Sequence, residues 1–385
     1  YHSRISSITT IPLRGNEMDT TNRREFLKRT TVKGVAAGLG ATGMLKAVSH
    51  AEEKPKSKIA YRDFGKTGWK VTEVGFGVMN TRDPELVQAG LEAGINYFDT
   101  AHGYMKGANE EVVGQVMKKI DRKKVYIATK VHCKGRDAKT IREMMETSLK
   151  RLQMDYVDVM FMHMPDHGDE VTVKEHMKVF EQFKKDGHAR LIGVSTHVNH
   201  AETINATVKT KFWEALLVGY NFNSTPDVTE AMERARKAGI AMIAMKTQAK
   251  GKGYTGHNMG DISIQQAALK WVLQHSFVDT TIPGVTNFEQ LAENVALMGM
   301  KMSFIDRLQL KRYAEASKDA YCCGVTGCTG CQGQCPKGVQ VSELNRCLGY
   351  AYGYGDMALA RENYDRLPAS SRVDMCGDCG ECLVK

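Results

Sequence analysis

The sequence predicts an α/β fold, a (β/α)8 TIM barrel followed by a small C-terminal cysteine-rich, mainly helical domain. Short apolar runs alternate with longer amphipathic runs from residue 57 to about residue 303, and eight of the apolar runs indicate strands. Eight strands alternating with helices over roughly 250 residues are typical of such a barrel. A doubly wound open sheet is the alternative, but it needs a glycine-rich fingerprint after its first strand. The segment from Gly75 to Val78 is not such a fingerprint.

The elements follow one another along the chain with the spacing that a barrel needs. The predicted strands are residues 73–77, 95–99, 125–130, 156–162, 191–195, 215–220, 241–245 and 280–282. Predicted helices include residues 110–120, 138–152, 173–185, 228–237, 262–275 and 305–317. Ahead of them, residues 61–68 carry turn glycines between extended runs, which predicts a hairpin at the bottom of the barrel. We therefore place the barrel domain at residues 57–317 and the cysteine-rich domain at residues 318–385.

The N-terminal region, residues 1–51, contributes much of the formal net charge of +9. Its motif NRREFLK at residues 22–28 resembles a twin-arginine export signal, and an apolar, glycine-rich stretch follows it. Ser49 and Ala51 are small residues of the kind that a signal peptidase reads. We expect export to the periplasm or cell envelope, with residues 1–17 upstream of the true start at Met18; the alternative is a disordered basic tail. The apolar stretch is too short to span a bilayer, so no transmembrane segment is expected. The chain has no basic stripe with interleaved aromatic residues, so no nucleic-acid partner is expected.

Four polar residues lie at or just past the C-terminal ends of three successive predicted strands: Asp99, Tyr104, Lys130 and His163. Parallel barrels assemble active sites at that face. A tyrosine can protonate a carbonyl oxygen if a nearby ammonium lowers its pKa, which is otherwise near ~10. A carboxylate would hold the ammonium, and a histidine would orient the carbonyl. Each residue alone also has an ordinary structural explanation, such as a helix cap or a strand-end charge.

These residues lie in stretches that resemble the aldo-keto reductase superfamily. The matching stretches are GINYFDTA at 94–101, TK at 129–130, HMPD at 163–166, IGVS at 192–195, IPG at 282–284 and EN at 293–294. The resemblance covers roughly residues 58–300 and implies that Asp99, Tyr104, Lys130 and His163 form the family's catalytic tetrad. It further implies reversible hydride transfer between a nicotinamide cofactor and a small aldehyde, ketone or alcohol.

The resemblance also implies a set of nicotinamide-nucleotide contacts. They are Ser195, Thr196, Met245, Lys246, Asn287, Glu293 and Asn294. The family's usual ligands of the 2′-phosphate are replaced here by Gly284, Val285 and Gln290, and a usual glutamine is replaced by Leu217. The cofactor is therefore expected to be NADP or NAD.

Nine of the ten cysteines follow residue 321. Cys376, Cys379 and Cys382 have the close spacing of a ferredoxin-type motif, and Cys335 precedes a proline as the remote fourth ligand does. We expect these four thiolates to bind one [4Fe–4S] cluster in a ferredoxin-like domain, with a four-cysteine zinc site as the alternative. Candidate ligands of a second cluster are Cys322, Cys323, Cys328 and Cys331.

Two functions from different classes remain open at this point. The first is an exported, aldo-keto reductase-like enzyme with an accessory cluster. The second is an iron–sulfur electron-transfer protein whose barrel no longer binds NAD(P)H and instead meets a redox partner protein. A non-redox sugar isomerase or lyase is weaker, because the chain offers no metal-binding carboxylate set. The cluster itself could transfer electrons or only stabilise a domain with a small core.

Overall fold

The computed structural model describes Arg23, residues 59–248, 262–317, 335–353, 357–365 and 367–376, and Cys379. The first element is the predicted hairpin, in which β1 (Tyr61–Asp63) pairs antiparallel with β2 (Lys70–Thr72). Arg62 fixes it to the body of the protein by donating hydrogen bonds to the backbone oxygens of His275 and Val278, at 3.1 and 2.8 Å.

Eight parallel strands follow in a single sheet. They are β3 (Phe76–Gly77), β4 (Tyr97–Asp99), β5 (Tyr126–Val131), β6 (Val157–His163), β7 (Ala189–Thr196), β8 (Ala215–Gly219), β9 (Ala241–Met245) and β10 (Thr280–Thr281). Each strand pairs with the next one along the chain from β3 to β10. Parallel bridges from Val74 to Thr281 and from Gly77 to Gly284 then join the first strand to the last. The predicted eight-stranded barrel is confirmed, and the ring excludes the open-sheet alternative.

Helices surround the ring and continue past it. They are α1 (Pro84–Glu92), α2 (Ala108–Met117), α3 (Ala138–Leu152), α4 (Lys174–Lys185), α5 (His200–Thr210), α6 (Pro226–Lys237), α7 (Ile264–Leu273), α8 (Phe288–Ala296), α9 (Phe304–Ser317), α10 (Val341–Leu348) and α11 (Met357–Asp365). Helix α3 has the predicted bounds because its capping residue and its apolar face indicate the same segment. The Asp137 side chain caps its first turn by accepting from the Thr140 amide at 2.8 Å, and Ile141 and Met145 bury one face.

The barrel strands are buried on both faces, which explains why they are almost continuously apolar. In β6, Val159 and Phe161 point into the barrel, whereas Met160 and Met162 pack against the surrounding helices. This alternation follows from the two-residue period of a strand.

The hairpin and its turn fill the bottom of the barrel. Phe64 and Val71 are fully buried in the same cluster as the interior residues Tyr97 and Phe161. The turn is held by the amide of Gly65, which donates to the Asp279 carboxylate at 2.8 Å. The predicted position of the hairpin is confirmed, and side chains occupy this end of the barrel interior.

Gly77 lies where the first and last strands meet, and it has no room for a side chain. A Cβ at this position would lie 2.7 Å from the Ile282 backbone oxygen and 3.0 Å from that of Pro283. We expect Gly77→Ala to lower the free energy of unfolding by about 1–3 kcal/mol, because the closing strands must separate. Urea unfolding measures this loss. Gly284→Ala, at the residue bridged to Gly77, is the control and should lose less, since its φ is outside the left-handed region and the atom nearest to its added methyl group, at 2.8 Å, is the movable side-chain nitrogen of Asn80. An equal loss in both variants would contradict the explanation.

Beyond the barrel, α10 and α11 are joined by a single π-helical segment, Gly349–Gly353, and by residues outside the described ranges. Tyr350, Leu359 and Ala360 form a small cluster against Met79, in the turn that follows β3. This segment therefore contacts the barrel at the C-terminal ends of its strands. The predicted domain boundary at residue 318 lies outside the described residues. So does the predicted export signal apart from Arg23, which forms an ion pair with Glu92 on α1. Within the described ranges, no helix is both long and apolar enough to cross a bilayer.

Candidate active site

The four predicted acid–base residues meet at the C-terminal face of the barrel. Asp99 and His163 are the last residues of β4 and β6, and Lys130 lies one residue before the end of β5. Tyr104 begins the single-turn 3-10 helix Tyr104–Gly107 that follows β4. Because parallel strands end at the same edge, residues far apart in sequence share one site.

The ammonium of Lys130 is the centre of this site. It is fully buried and forms an ion pair with Asp99, which is also buried. It donates to the Thr100 backbone oxygen at 2.7 Å and to the Tyr104 hydroxyl at 3.3 Å. Burial lowers the pKa of Lys130, and the negative charge of Asp99 opposes this effect. The three contacts use all three N–H donors of the ammonium, so its direction is fixed.

His163 lies beside Tyr104 within a group of imidazoles. Its ring centroid is 5.9 Å from that of Tyr104, 4.4 Å from that of His132 and 5.4 Å from that of His197. Neither ring nitrogen of His163 has a hydrogen-bond partner among the described residues. Burial is the largest of the effects that lower the pKa of His163 well below its usual value. The imidazole is therefore neutral at physiological pH, with one N–H donor available to a ligand.

The turn that carries Tyr104 has unusual backbone angles. Met105 and Lys106 have φ values of 49° and 55°, and Gly107 has a φ of 102°. The Arg151 guanidinium fills the space beside Gly107, where a Cβ would lie 2.3 Å from its central carbon. Arg151 also donates to the His102 backbone oxygen at 3.0 Å. Left-handed non-glycine residues are uncommon and often mark functional sites.

A buried carboxylate supports the strand that carries Lys130. Glu110 is fully buried on α2 and accepts a hydrogen bond from the Thr129 hydroxyl at 2.6 Å. It also pairs with Arg151 at 3.4 Å, and its charge acts to raise the pKa of Lys130. Glu110 and Arg151 therefore connect the Tyr104 turn to the end of β5.

The residues expected to contact the nicotinamide lie on the neighbouring strands. Ser195 pairs in register with His163, and its hydroxyl makes a long contact of 3.5 Å with His197 Nε2. The Thr196 hydroxyl instead donates to the Val198 backbone oxygen at 2.8 Å. Met245 ends β9 within the barrel-interior cluster, and Lys246 follows with a φ of 56°. Ser195 thus lies beside His163 on the neighbouring strand, and the charge of Lys246 also lowers the pKa of that imidazole.

The residues expected to contact the rest of the nucleotide lie at α8. The Asn287 side chain caps this helix by accepting from the Gln290 amide at 2.9 Å. The Gln290 side chain in turn accepts from the amide of Thr286 at 2.9 Å. Glu293 accepts from the Ser263 hydroxyl at 3.3 Å, and Asn294 is buried. Asn287 and Gln290 thus have structural contacts within α8 and the turn before it in this conformation.

Three of the four predicted cluster ligands, Cys335, Cys376 and Cys379, are described and are not in disulfides. Within the described ranges, no group of three or more His, Cys, Asp or Glu side chains is arranged to hold a metal ion. The fourth ligand, Cys382, and the second-site candidates Cys322, Cys323, Cys328 and Cys331 lie outside the described residues. The described cysteines therefore do not by themselves form a cluster site.

Sequence reasoning missed several residues of this site. His132 lies two residues after Lys130, and His197 lies two residues after Ser195. Because side chains two residues apart in a strand point to the same side, this spacing could have identified both histidines. Arg346 on α10 was also missed, although its charge lowers the pKa of His163. No local pattern could have found it, because its proximity to the barrel depends on the folding of a distant segment.

Buried histidines predict acid sensitivity. Burial lowers the pKa of His200 to about 3, whereas an unfolded histidine titrates near ~6.5. Between these values the unfolded chain binds a proton that the folded chain does not, so the free energy of unfolding falls as the pH falls. Urea unfolding across this pH range measures the effect. The free energy of unfolding of His200→Asn should change by about 1.4 kcal/mol less per pH unit than that of the wild-type protein. The exposed His167→Asn is the control and should keep the original slope. Equal slopes in all three proteins would contradict this expectation.

The chain forms a closed parallel barrel, and a buried lysine–carboxylate pair lies next to a tyrosine at its strand ends. These two features place it in the class of barrel proteins with an acid–base site at the C-terminal face. Residues 69–258 and 254–310 match the aldo/keto reductase family. The chain therefore belongs to this family and is an oxidoreductase enzyme.

Relatives and solved structures agree with this assignment. Methylglyoxal reductase DkgB of Salmonella typhi is 27% identical over 252 residues, which cover 60% of this chain and 89% of the relative. Glyoxal reductase of Bacillus subtilis is 28% identical over 242 residues, covering 60% and 84%. An aldo/keto reductase from Klebsiella pneumoniae, solved with NADP and acetate, superposes with a TM-score of 0.56 at 23% identity, covering 65% of this chain and 93% of that one. This last likeness supports the fold.

Proposed function

We propose that the protein catalyses reversible hydride transfer between a nicotinamide cofactor and a small aldehyde or ketone. One observation carries the proposal: the buried Lys130 ammonium, paired with Asp99, lies 3.3 Å from the Tyr104 hydroxyl. A phenol in contact with a fixed cation can give its proton to a developing alkoxide, because the cation stabilises the phenolate that remains.

Each of the four residues has a distinct task in this reaction. Tyr104 donates the proton to the carbonyl oxygen during reduction and accepts it during alcohol oxidation. Lys130 stabilises the phenolate, and Asp99 keeps the lysine charged despite its burial. His163, neutral and with ring nitrogens that have no partner among the described residues, donates a hydrogen bond to the carbonyl oxygen. Both donors then stabilise negative charge where it develops.

The site fits a nicotinamide at Ser195. Its hydroxyl is fully buried beside His163, and its contact with His197 is long, which leaves it able to bind a carboxamide. A reduced nicotinamide bound there supplies the hydride. We propose NADP as the cofactor, supported by the related structure that holds NADP, with NAD as the alternative because Gly284, Val285 and Gln290 provide no cation for a 2′-phosphate.

Titration with NADPH and with NADH tests this function directly. We expect nicotinamide fluorescence to change on binding and the bound cofactor to be oxidised when an aldehyde is added. If neither nucleotide binds while the protein holds a reducible cluster, the electron-transfer alternative is correct. Buried Leu217, where the family usually has a glutamine, is the feature that favours that alternative.

We also propose that Cys335, Cys376, Cys379 and Cys382 bind an accessory [4Fe–4S] cluster in a protein exported by the twin-arginine route. In this proposal the cluster exchanges electrons with a redox partner protein. Two observations support the cluster. The first is the cysteine spacing, and the second is that the two cysteine-bearing segments are adjacent, since the Gln340 amide donates to the Ser371 backbone oxygen at 3.1 Å. No catalytic step is assigned to the cluster. Iron and sulfide analysis with an EPR spectrum tests for it, and a zinc-only protein would contradict it. Fractionation of cells tests the export.

A further inference from the structure

The first turn of α2 holds two adjacent polar residues that are fully buried. Asn109 and Glu110 are both 0% exposed, and the helix begins directly after the turn that carries Tyr104. The other buried side chains of this helix are apolar: Val113, Val116 and Met117. Burial of an amide and a carboxylate costs free energy unless specific partners compensate for the lost water. The polar pair must therefore have contacts that apolar side chains could not make.

Glu110 contacts the residue that precedes Lys130. Its carboxylate accepts a hydrogen bond from the Thr129 hydroxyl at 2.6 Å. Because successive side chains of a strand point to opposite faces, Thr129 meets α2 outside the barrel while Lys130 points to the site. The second carboxylate oxygen accepts from Arg151 at 3.4 Å, and Arg151 donates to the His102 backbone oxygen at 3.0 Å. Glu110 is therefore connected both to the strand that carries the ammonium and to the segment that carries the phenol.

Asn109 makes matching contacts at the end of β4. Its side-chain oxygen accepts from the Thr100 hydroxyl at 2.6 Å. Its side-chain nitrogen donates to the backbone oxygens of Val78 and Thr81, at 2.9 and 3.2 Å. The backbone oxygen of Thr100 in turn accepts from the Lys130 ammonium at 2.7 Å. Asn109 therefore fixes a segment that provides one of the acceptors of the ammonium.

Backbone pairing between β4 and β5 does not extend to Lys130. The parallel register of these two strands ends at Asp99 and Ala128, two residues before the lysine. Beyond it, the amide of His102 donates to the Lys130 backbone oxygen at 3.0 Å. So short a ladder leaves the separation of the strand ends to other contacts, and the two buried residues of α2 provide them.

We propose that Glu110 and Asn109 are positioning residues for proton transfer. They act through the two strand threonines and hold the Lys130 ammonium and the Tyr104 hydroxyl at their separation of 3.3 Å. This inference rests on the proposed function and adds to it two residues that do not touch the substrate. Displacement of reacting groups by about 1 Å can lower a rate by about 10²-fold, even when the change is remote from the reaction.

Thr129→Val in the full-length protein tests the role of Glu110 without changing a charged group. It removes the hydroxyl that bonds to the carboxylate and keeps the β-branched shape. We expect kcat for aldehyde reduction to fall by roughly 10- to 100-fold. The KM for the aldehyde and the Kd of the nicotinamide nucleotide should stay within about twofold, because binding of both ligands is retained.

The pH profile of kcat distinguishes positioning from a purely structural role. Reduction needs the protonated phenol, so kcat falls at the pH where the phenol ionises. A phenol less well placed against the ammonium ionises at higher pH, so this alkaline fall should move upward by about 0.5 pH unit or more in Thr129→Val. The titratable groups in described contact with Tyr104, Lys130 and His163, and the lysine's partner Asp99 are all unchanged.

Three further variants complete the test. Thr129→Ser keeps the hydroxyl and should retain most of the wild-type kcat and the wild-type pH profile. Thr100→Val removes the hydroxyl that bonds to Asn109 and should change kcat and its pH profile in the same direction as Thr129→Val. Thr72→Val is the matched control at the bottom of the barrel, where a buried threonine donates to the Val74 backbone oxygen at 2.8 Å. It should leave kcat and its pH profile unchanged.

The outcomes separate this inference from the proposed function. If Thr129→Val and Thr100→Val lose stability in urea but keep the wild-type kcat and pH profile, the contacts are only structural and the inference is overturned. An equal loss of kcat in Thr72→Val also overturns it. If Thr129→Val does not fold, Thr100→Val decides by the same measurements. All these results leave the proposed function intact, whereas no turnover of any aldehyde by the wild-type protein with either nucleotide overturns both.

Discussion

Tyr104→Phe is expected to lower kcat for aldehyde reduction by about 10²–10⁴-fold, the usual contribution of a positioned general acid. The substitution removes only the hydroxyl that lies 3.3 Å from the Lys130 ammonium. The phenyl ring keeps the packing against His163 and the position below the ammonium, 4.8 Å from the ring centroid. Steady-state kinetics measure the loss, and nicotinamide fluorescence should show that the nucleotide still binds.

Tyr126→Phe provides the matched control. Tyr126 begins β5 at the other end of the barrel, where it stacks on Trp69 with a centroid distance of 4.8 Å. Loss of its hydroxyl should leave kcat within about threefold of wild type, since it is remote from the site. If Tyr104→Phe retained more than about a tenth of the wild-type kcat, the phenol would not be the proton donor.

Lys130→Met is expected to affect both activity and stability. It removes the ammonium while leaving the buried carboxylate of Asp99 without its cation, which costs about 3–5 kcal/mol. We expect the free energy of unfolding, measured in urea, to fall by about this amount. The kcat for aldehyde reduction should fall by at least about 10²-fold, because the phenolate of Tyr104 loses its stabilising charge.

The double variant Asp99→Asn/Lys130→Met distinguishes the two effects. Without a carboxylate there is no uncompensated buried charge, so much of the lost stability should return. Activity should stay low, because the ammonium is still missing. Recovery of activity together with stability would show that Lys130 acts only in folding.

Most of the barrel could be predicted from the sequence because its signals are local. The bounds of β9 and α3 match the expected ones, and other strands differ by a few residues at their ends. The first strand was predicted over 73–77, but β3 spans Phe76–Gly77. Its earlier residues meet β10 through single contacts, such as the Gly75 amide donating to the Thr281 backbone oxygen at 2.8 Å. Closure of a ring depends on partners about two hundred residues away, which local patterns do not encode.

The acid–base residues could be predicted for a different reason. Asp99, Lys130 and His163 end successive apolar runs, and parallel topology alone brings strand ends together. Their roles remain predictions until the variants are measured. Glu110 could not be predicted, because it reaches β5 through helix packing rather than through a strand end. The effect of Arg346 on His163 could not be predicted either, because Arg346 lies on a helix outside the barrel. The identity of the substrate depends on such residues more than on the strands.

The packed hairpin beneath the barrel limits the routes by which substrate and product can enter and leave the site. Since Phe64 and Val71 occupy the lower end of the barrel interior, substrate and product must both use the upper end, where the π-helical segment and α11 also pack against Met79. Product must therefore leave through the same opening before the next substrate can bind. Product release, rather than hydride transfer, can then limit kcat.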